Sequence, residues 1–168
     1  MPDRTFSLTT TSVEDTRAVG AAVAGRLRAG DAVSLAGDLG AGKTALVQGA
    51  AEALGVRLPV TSPTFVLVKH LPAPIPVVHV DVYRLEWLAH LDDLDEDVFG
   101  PDVVTFVEWA DRIAHLLPDD RLEVRLQQTA ASAEDGTTRQ VSMTLHGPRW
   151  SARLEALEYD LSRWLDPG

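Results

Sequence analysis

The sequence predicts an α/β protein with a mixed, partly parallel sheet, added antiparallel hairpin strands and helices on both faces. Three observations lead to this prediction. A glycine-rich segment stands between an apolar, strand-like run and a helix-like run. Helical and extended patterns alternate on both sides of that segment. Two pairs of strand-like runs are separated by short polar or proline-rich stretches, which is typical of hairpins.

The glycine-rich segment reads Gly37-Asp38-Leu39-Gly40-Ala41-Gly42-Lys43-Thr44 and fits Gly-x-x-x-x-Gly-Lys-[Ser/Thr], the phosphate-binding P-loop. Residues 31–36 predict a buried strand before it, and residues 43–54 predict a helix that Gly55 ends. Backbone N–H groups of such a loop and the positive end of its helix face phosphate oxygens. We therefore expect a P-loop NTPase-like sheet. Asp38 to Thr44 would bind the nucleotide, Lys43 would reach the β- and γ-phosphates, and Thr44 would bind Mg²⁺.

The segment before the P-loop predicts an edge strand and a helix. Thr5 to Thr10 alternates weakly between polar and apolar residues, as an edge strand does. Thr11-Ser12-Val13-Glu14 predicts a capping box with Thr11 as the N-cap and Glu14 reaching back. The helix is expected to run to about Ala29, with one apolar face formed by Val19, Val23 and Leu27.

The segment after the P-loop helix predicts a hairpin, an acidic helix and a buried strand. Residues 64–71 and 77–85 form the hairpin around a proline-rich turn. Residues 86–99 predict a helix whose acidic face we interpret as solvated, with a partner surface as the alternative. Residues 103–109 are strongly apolar and predict a strand of the sheet core.

The last third of the chain predicts a short helix, two strands and a final helix. The short helix covers residues 111–117, and residues 122–128 and 139–145 predict strands around a polar turn at 133–138. An amphipathic helix is expected at about residues 149–165, packed on the body of the domain or, as the alternative, contacting a partner. Residues 1–168 are expected to form a single P-loop ATPase domain.

Composition limits the function classes. The chain has no cysteine, so disulfides and cysteine-based metal sites are excluded. Its net charge is −10 and its arginines are scattered, which disfavours DNA binding and tight, direct RNA binding. The N-terminus lacks the pattern of a signal peptide, and no apolar run reaches membrane-spanning length. A cytoplasmic protein without membrane contact is therefore expected.

Two acids are candidates to complete a hydrolytic site. Glu108 follows the apolar run 103–107, as in a Walker B strand, and Asp81 lies in the apolar run 77–85. In open α/β sheets such groups meet at the carboxyl ends of the strands, beside the P-loop. The alternative is that either acid is structural and paired with an arginine. Alternation places His79 on the same strand face as Asp81.

Other residues bear on nucleotide choice. Thr64, in a proline-containing loop, is positioned to approach the γ-phosphate and Mg²⁺, or to make local turn contacts only. Trp109 is predicted either to border the adenine or to fill the core, and the core is the better expectation. The chain contains no asparagine, so it lacks the Asn-Lys-x-Asp segment common in GTPases. ATP is therefore the expected nucleotide.

Four motifs in this order resemble the TsaE (also called YjeE) family. They are the P-loop at 37–44, Ser62-Pro63-Thr64-Phe65, His79-Val80-Asp81-Val82-Tyr83-Arg84-Leu85 and Val107-Glu108-Trp109. The resemblance covers roughly residues 5–145. It implies a magnesium-dependent ATPase, weak alone, that acts with TsaD and TsaB in threonylcarbamoylation of the adenosine beside the anticodon, in tRNAs that read codons beginning with A. Contact with tRNA would be indirect, through that complex.

The resemblance also implies residue roles. Thr44 and Glu108 would serve Mg²⁺, and Lys43, Asp81 and Glu108 would be the catalytic residues. Thr64 would act in a switch-like loop, and Thr11 and Ser12 would border the adenine. Two other functions stay open on the residues alone: a small-molecule P-loop kinase, which usually needs an arginine-rich lid that we do not find, and a non-catalytic nucleotide-binding adaptor.

Overall fold

A computed structural model of the chain describes residues 3–61, 68–83 and 98–168. The described strands are β1 (Arg4–Thr10), β2 (Ala32–Ala36), β3 (Val68–Leu71), β4 (Val77–Asp81), β5 (Val104–Glu108), β6 (Arg121–Gln128) and β7 (Arg139–His146). The described α-helices are α1 (Val13–Ala24), α2 (Lys43–Ala53), α3 (Ala130–Asp135), α4 (Pro148–Ser151) and α5 (Leu154–Asp160), and a 3₁₀-helix spans Ala110–Leu116. Of the predicted acidic helix at 86–99, residues 86–97 lie outside the described residues. Of the predicted strand at 64–71, residues 64–67 lie outside them.

The strands form one seven-stranded sheet in the order β1-β7-β6-β2-β5-β4-β3. Four central strands, β6, β2, β5 and β4, run parallel to one another. The pairs β1–β7, β7–β6 and β3–β4 are antiparallel. The predicted mixed sheet with added hairpin strands is therefore confirmed, as is the edge position of the first strand.

The two faces of the sheet are covered by separate apolar clusters. The larger cluster joins one face of the central strands, such as Val33 and Phe106, to α1, α2 and the C-terminal helices. The smaller cluster joins the opposite face, including Val80 and Val107, to the 3₁₀-helix through Ile113. Since alternate residues of a strand point to opposite faces, the neighbours Phe106 and Val107 serve different clusters. All five residues of β2 are buried, as expected of a parallel strand covered on both sides.

Helix α1 packs directly against the P-loop helix α2 through two glycines. A Cβ atom added at Gly20 of α1 would overlap the carbonyl oxygen of Leu46, and one at Gly49 of α2 would overlap the carbonyl of Arg17. Neither glycine has a positive φ, so the requirement is close backbone approach rather than an unusual conformation. This approach fixes α2, and the loop that precedes it, against α1.

The start of α1 is one residue later than the sequence predicts. Ser12, not Thr11, is the N-cap, and its hydroxyl accepts a hydrogen bond from the Asp15 N–H at 2.9 Å. Asp15, not Glu14, reaches back: its carboxylate accepts from the Thr11 N–H at 3.1 Å and the Thr11 hydroxyl at 3.0 Å. These bonds hold the pKa of Asp15 below its usual value, the backbone bond from Thr11 being the largest cause.

Several predicted ends are too long. Helix α1 stops at Ala24 rather than Ala29, because Gly25 caps it and turns follow, although Leu27 is still buried. Strand β4 ends at Asp81 rather than residue 85. Strand β5 ends at Glu108, because Trp109 adopts a φ of 61° that a strand does not accommodate. The predicted polar turn at 133–138 overlaps the short helix α3 at residues 133–135, because α3 begins earlier, at Ala130, where Thr129 caps it.

The C-terminal segment forms α4 and α5 where the sequence predicts one helix at 149–165. The break falls beside Arg153, whose side chain turns inward to the buried carboxylate of Asp31, with Nη1 and Oδ2 2.6 Å apart. Trp150 and Leu157 are fully buried in the larger cluster. The chain then returns to β1, where the Thr9 N–H donates to the Trp164 carbonyl and the Asp166 N–H donates to Ser7.

We predict that Gly49→Ala lowers the free energy of unfolding by about 1–3 kcal/mol or more, because the added methyl group forces α1 and α2 apart. Urea denaturation measures the change. Gly25→Ala is the matched control: its φ is −61° and the nearest atom to an added Cβ is 3.4 Å away. Its expected change is within about 1 kcal/mol. Equal effects of the two substitutions would contradict the close approach of the helices.

Candidate phosphate-binding site

The P-loop connects the carboxyl end of β2 to the N-terminus of α2. Gly37 has a φ of 148°, and a Cβ there would overlap the Leu126 carbonyl of the neighbouring strand. Gly42, at a φ of 105°, is the N-cap of α2 and offers no capping side chain. The first N–H groups of α2 therefore face the loop without a side-chain acceptor, which is the arrangement that binds phosphate oxygens.

Lys43 lies inside the loop. Its ammonium group donates to the carbonyl oxygens of Gly37 at 2.6 Å and Asp38 at 2.9 Å. It also lies 3.9 Å from the centroid of the Trp109 ring, a cation–π contact. Burial lowers the pKa of Lys43, while the negative charges of Glu108 and Asp81 oppose that change. An incoming phosphate would supply a stronger anionic partner for this cation.

The two predicted acids end adjacent strands beside the loop. Asp81 of β4 pairs in register with Glu108 of β5, and Glu108 is also in register with Leu35 of β2. Asp81 is 4% exposed and Glu108 is 2% exposed. The Asp81 carboxylate accepts from the Tyr83 N–H at 2.8 Å. The parallel sheet therefore places both carboxylates at the edge from which the P-loop departs, as the sequence predicts.

Glu108 joins the P-loop to the sheet. The Thr44 hydroxyl donates to Oε1 of Glu108 at 2.9 Å and lies 3.2 Å from Oε2. The ring Nε2 of His79 lies 2.6 Å from the same Oε2. Within the described part of the chain these are the side-chain partners of the Glu108 carboxylate, and no described arginine is among them.

The cleft beside the loop has a volume of about 330 Å³. It is lined by Leu39 to Ala45 together with Glu108 and Trp109. Trp109 is partly buried: it packs against the smaller apolar cluster and also borders the cleft, so the expectation of a core position is only half right. Its ring lies 4.9 Å from that of Tyr83, and the guanidinium of Arg112 lies over both rings.

Among the described residues, three predicted binding residues do not line this cleft: Thr11, Ser12 and Asp38. Thr11 and Ser12 lie at the start of α1, and the Thr11 carbonyl accepts from the Thr137 hydroxyl at 2.8 Å. Thr64 lies outside the described residues. A wider groove of about 830 Å³ runs past Arg17, Gln48 and residues 55–61. No residue of the P-loop lines that groove, so its size does not make it the phosphate site.

Arg139 is a residue that sequence patterns missed. From the start of β7 it donates to two P-loop carbonyls, Ala41 at 3.1 Å through Nε and Gly40 at 3.0 Å through Nη2. The same guanidinium donates to Thr138 at 2.9 Å and Gly136 at 3.1 Å. It therefore ties the loop to the β6–β7 hairpin. No motif marks this residue, because the contact depends on two strands far apart in sequence being near neighbours in the sheet.

The donor set fits Mg²⁺ rather than a metal held only by protein groups. Thr44 and Glu108 offer hydroxyl and carboxylate oxygens, which are the ligands that Mg²⁺ prefers. Among the described residues there is no group of three or more His, Cys, Asp or Glu side chains able to hold a metal. Mg²⁺ at nucleotide sites is commonly bound through one or two protein groups and the phosphates. Residues 37–44 and 108 match that pattern.

Strand, glycine loop and helix, with lysine, threonine and strand-end acids at one sheet edge, define the class of P-loop NTPase-like proteins. A family model described as "Threonylcarbamoyl adenosine biosynthesis protein TsaE" matches residues 10–141. The chain therefore belongs to the TsaE family, whose members are named for the biosynthesis of threonylcarbamoyladenosine in tRNA. The resemblance drawn from the four motifs is confirmed.

Individual relatives agree. The Streptomyces coelicolor protein named "tRNA threonylcarbamoyladenosine biosynthesis protein TsaE" is 45% identical over 139 residues, which are 80% of this chain and 93% of that protein. The Bacillus subtilis protein of the same name is 36% identical over 149 residues, 88% of this chain and 90% of the relative. The crystal structure of Bacillus subtilis YdiB is similar with a TM-score of 0.77 at 29% identity, and covers 95% of this chain and 97% of its own.

No helix within residues 3–61, 68–83 and 98–168 combines the length and the apolar character needed to cross a membrane.

We predict that Arg139→Gln loosens the P-loop. Since two loop carbonyls lose a charged donor, amide hydrogen exchange over residues 40–46 should be roughly tenfold faster or more. Hydrogen–deuterium exchange with mass spectrometry measures this. Arg125→Gln, on β6, is the control: the contact of the Arg125 side chain is with Glu123, and loop exchange should not change. Identical exchange in the two variants would show that Arg139 does not hold the loop.

Proposed function

We propose that this protein is the magnesium-dependent ATP-binding and hydrolysing subunit that works with TsaD and TsaB in threonylcarbamoylation of tRNA. The modified base would be the adenosine beside the anticodon in tRNAs that read codons beginning with A. The observation that carries the proposal is the hydrogen bond from Thr44 to Glu108, which links a phosphate-binding loop to a buried strand-end carboxylate. A loop that only binds phosphate does not need that carboxylate.

The binding step would use the loop and its lysine. The N–H groups at the start of α2 and the loop backbone would receive the phosphates, and Lys43 would hold the β- and γ-phosphate oxygens. Lys43 would then exchange its bonds to the Gly37 and Asp38 carbonyls for bonds to phosphate. Residues Asp38 to Thr44 would thus form the nucleotide site. Trp109 borders the same cleft and, with Thr11, Ser12 and Thr64, is proposed to contact the nucleotide.

Thr44 and Glu108 would hold Mg²⁺. Because the Thr44 hydroxyl donates its proton to Glu108, the lone pairs of that oxygen remain available to the metal. Bound Mg²⁺ would neutralise charge on the phosphates as the terminal bond breaks. Asp81, on the strand beside Glu108, would orient or deprotonate the attacking water. Lys43, Asp81 and Glu108 are therefore the proposed catalytic residues.

ATP rather than GTP is proposed as the nucleotide. The chain has no asparagine and hence no Asn-Lys-x-Asp segment, which P-loop GTPases commonly use to select guanine. At a net charge of −10 the chain is a poor ligand for tRNA by itself, so tRNA contact is proposed to pass through the partner proteins. The proposed location is the cytoplasm.

We predict that ATP turnover by the isolated chain is slow and rises when TsaD and TsaB are added. A phosphate-release assay with and without the partners measures this. Lys43→Ala should reduce turnover to background under both conditions, because the phosphates lose their cation. Lys69→Ala removes the other lysine of the chain and is the control, with turnover unchanged. If the partners change neither ATP turnover nor the yield of modified tRNA, the proposal is wrong.

The two acids should be separable by experiment. Glu108→Gln is expected to raise the Mg²⁺ concentration that half-saturates nucleotide binding, because Thr44 loses its charged acceptor. Asp81→Asn is expected to lower kcat by about a hundredfold or more while ATP binding is retained. Calorimetric titration and single-turnover hydrolysis give the two readouts. Full tRNA modification by both variants would instead favour a non-catalytic adaptor.

A further inference from the structure

His79 is buried beside the Glu108 carboxylate but does not line the cleft. Its side chain has 0% exposure, and its Nε2 lies 2.6 Å from Oε2 of Glu108. It stands on β4, two residues before Asp81, and is in register with Phe106 of β5. Its other ring nitrogen, Nδ1, is buried and has no hydrogen-bond partner within the described ranges.

The hydrogen-bond chemistry fixes which nitrogen carries the proton. A carboxylate is an acceptor, so the short contact requires an N–H on Nε2 of His79. Nδ1 has no acceptor among the described residues, so a neutral ring protonated at Nε2 satisfies more of the local groups than the other tautomer does. The ring therefore presents a fixed donor to Glu108.

Among the described residues, Glu108 is the hydrogen-bond partner of the His79 ring. Its neighbours on β4, Val78 and Val80, are buried apolar residues, and an apolar side chain would fit such a strand without burying an unsatisfied nitrogen. The hydrogen bond to Glu108 is the interaction that offsets this burial. The two oxygens of the Glu108 carboxylate therefore have different main partners. Oε2 contacts His79, and Oε1 makes the shorter of the two contacts with Thr44.

We infer that His79 is a positioning residue for the proposed magnesium site. By holding Oε2, its Nε2–H keeps the Glu108 carboxylate in the rotamer that accepts the Thr44 hydroxyl proton, and so keeps the Thr44 oxygen oriented toward the metal. His79 itself touches neither metal nor nucleotide. The inference rests on the proposed roles of Thr44 and Glu108, and it adds a residue that fixes their geometry from outside the cleft.

The first test compares two substitutions of His79 by titrating each variant with Mg²⁺ in the presence of a non-hydrolysable ATP analogue. Calorimetry measures the binding. His79→Leu removes the donor, and the Mg²⁺ concentration for half-saturation should rise at least about tenfold. His79→Gln retains an N–H donor and should give a smaller rise. His70→Leu, on strand β3, is the control and should leave the titration unchanged. Equal, unchanged Mg²⁺ dependence in His79→Leu and wild type would overturn the inference.

A double-mutant cycle separates positioning from general structural damage. In a Glu108→Gln background, adding His79→Leu should shift the Mg²⁺ half-saturation by less than about twofold, because the residue through which His79 acts is already changed. A shift as large as in the wild-type background would mean that His79 acts on structure in general, and would overturn the inference. A half-saturating Mg²⁺ concentration in Glu108→Gln equal to that of the wild-type protein would instead count against the proposed metal site, which distinguishes the two failures.

A third measurement does not depend on whether His79→Leu folds. Ring ¹⁵N chemical shifts of His79 in the wild-type protein should show the tautomer protonated at Nε2. They should change when Glu108→Gln replaces the charged acceptor by an amide. A ring protonated at Nδ1 alone, or shifts that do not respond to Glu108→Gln, would contradict a donor role for His79.

Discussion

The hydrogen bond between Thr44 and Glu108 connects two parts of the molecule, one positioned by a local sequence motif and the other by long-range strand pairing. Thr44 is held by a local motif, in which glycines allow the chain to wrap and α2 begins at Lys43, the residue before Thr44. Glu108 is held by long-range pairing, since β5 lies between β2 and β4 in the parallel centre of the sheet. A buried carboxylate is costly without partners, so its contacts with Thr44 and His79 constrain where the loop can stand. Loop and sheet edge therefore form one unit.

The loop is held from other directions as well. Arg139 fixes the carbonyls of Gly40 and Ala41 from the β6–β7 hairpin. Gly20 and Gly49 let α1 press against α2, so that the helix behind the loop is itself immobilised. A site that must bind a highly charged ligand benefits from this preorganisation, because N–H groups that already point inward need not be ordered when the ligand arrives. In this molecule the rigidity comes from contacts outside the cleft.

The sequence predicted the features whose causes are local. Glycine spacing, the apolar run before it and the helix after it lie within about two dozen residues, and Glu108 is marked by the end of an apolar strand. The sequence did not predict that Ser12 rather than Thr11 is the N-cap, because both residues have suitable hydroxyl groups. The carboxylate that accepts from Thr11 belongs to Asp15. That carboxylate also accepts from Trp164, near the end of the chain. Arg139 and the break at Arg153 were missed for the same reason: each side chain serves a partner about a hundred or more residues away in the chain.

The ion pair between Arg153 and Asp31 also affects how the protein unfolds. Asp31 is 3% exposed and immediately precedes β2, the strand that leads into the P-loop, while Arg153 lies beyond the residues that the family model matches. Local opening of α4 and α5 would leave a carboxylate buried without its cation, which is far less favourable than opening an apolar surface helix. The C-terminal segment is therefore not free to fray as an independent unit. It belongs to the same cooperative folding unit as the central strand, and its amides should be protected from solvent exchange almost as long as those of β2.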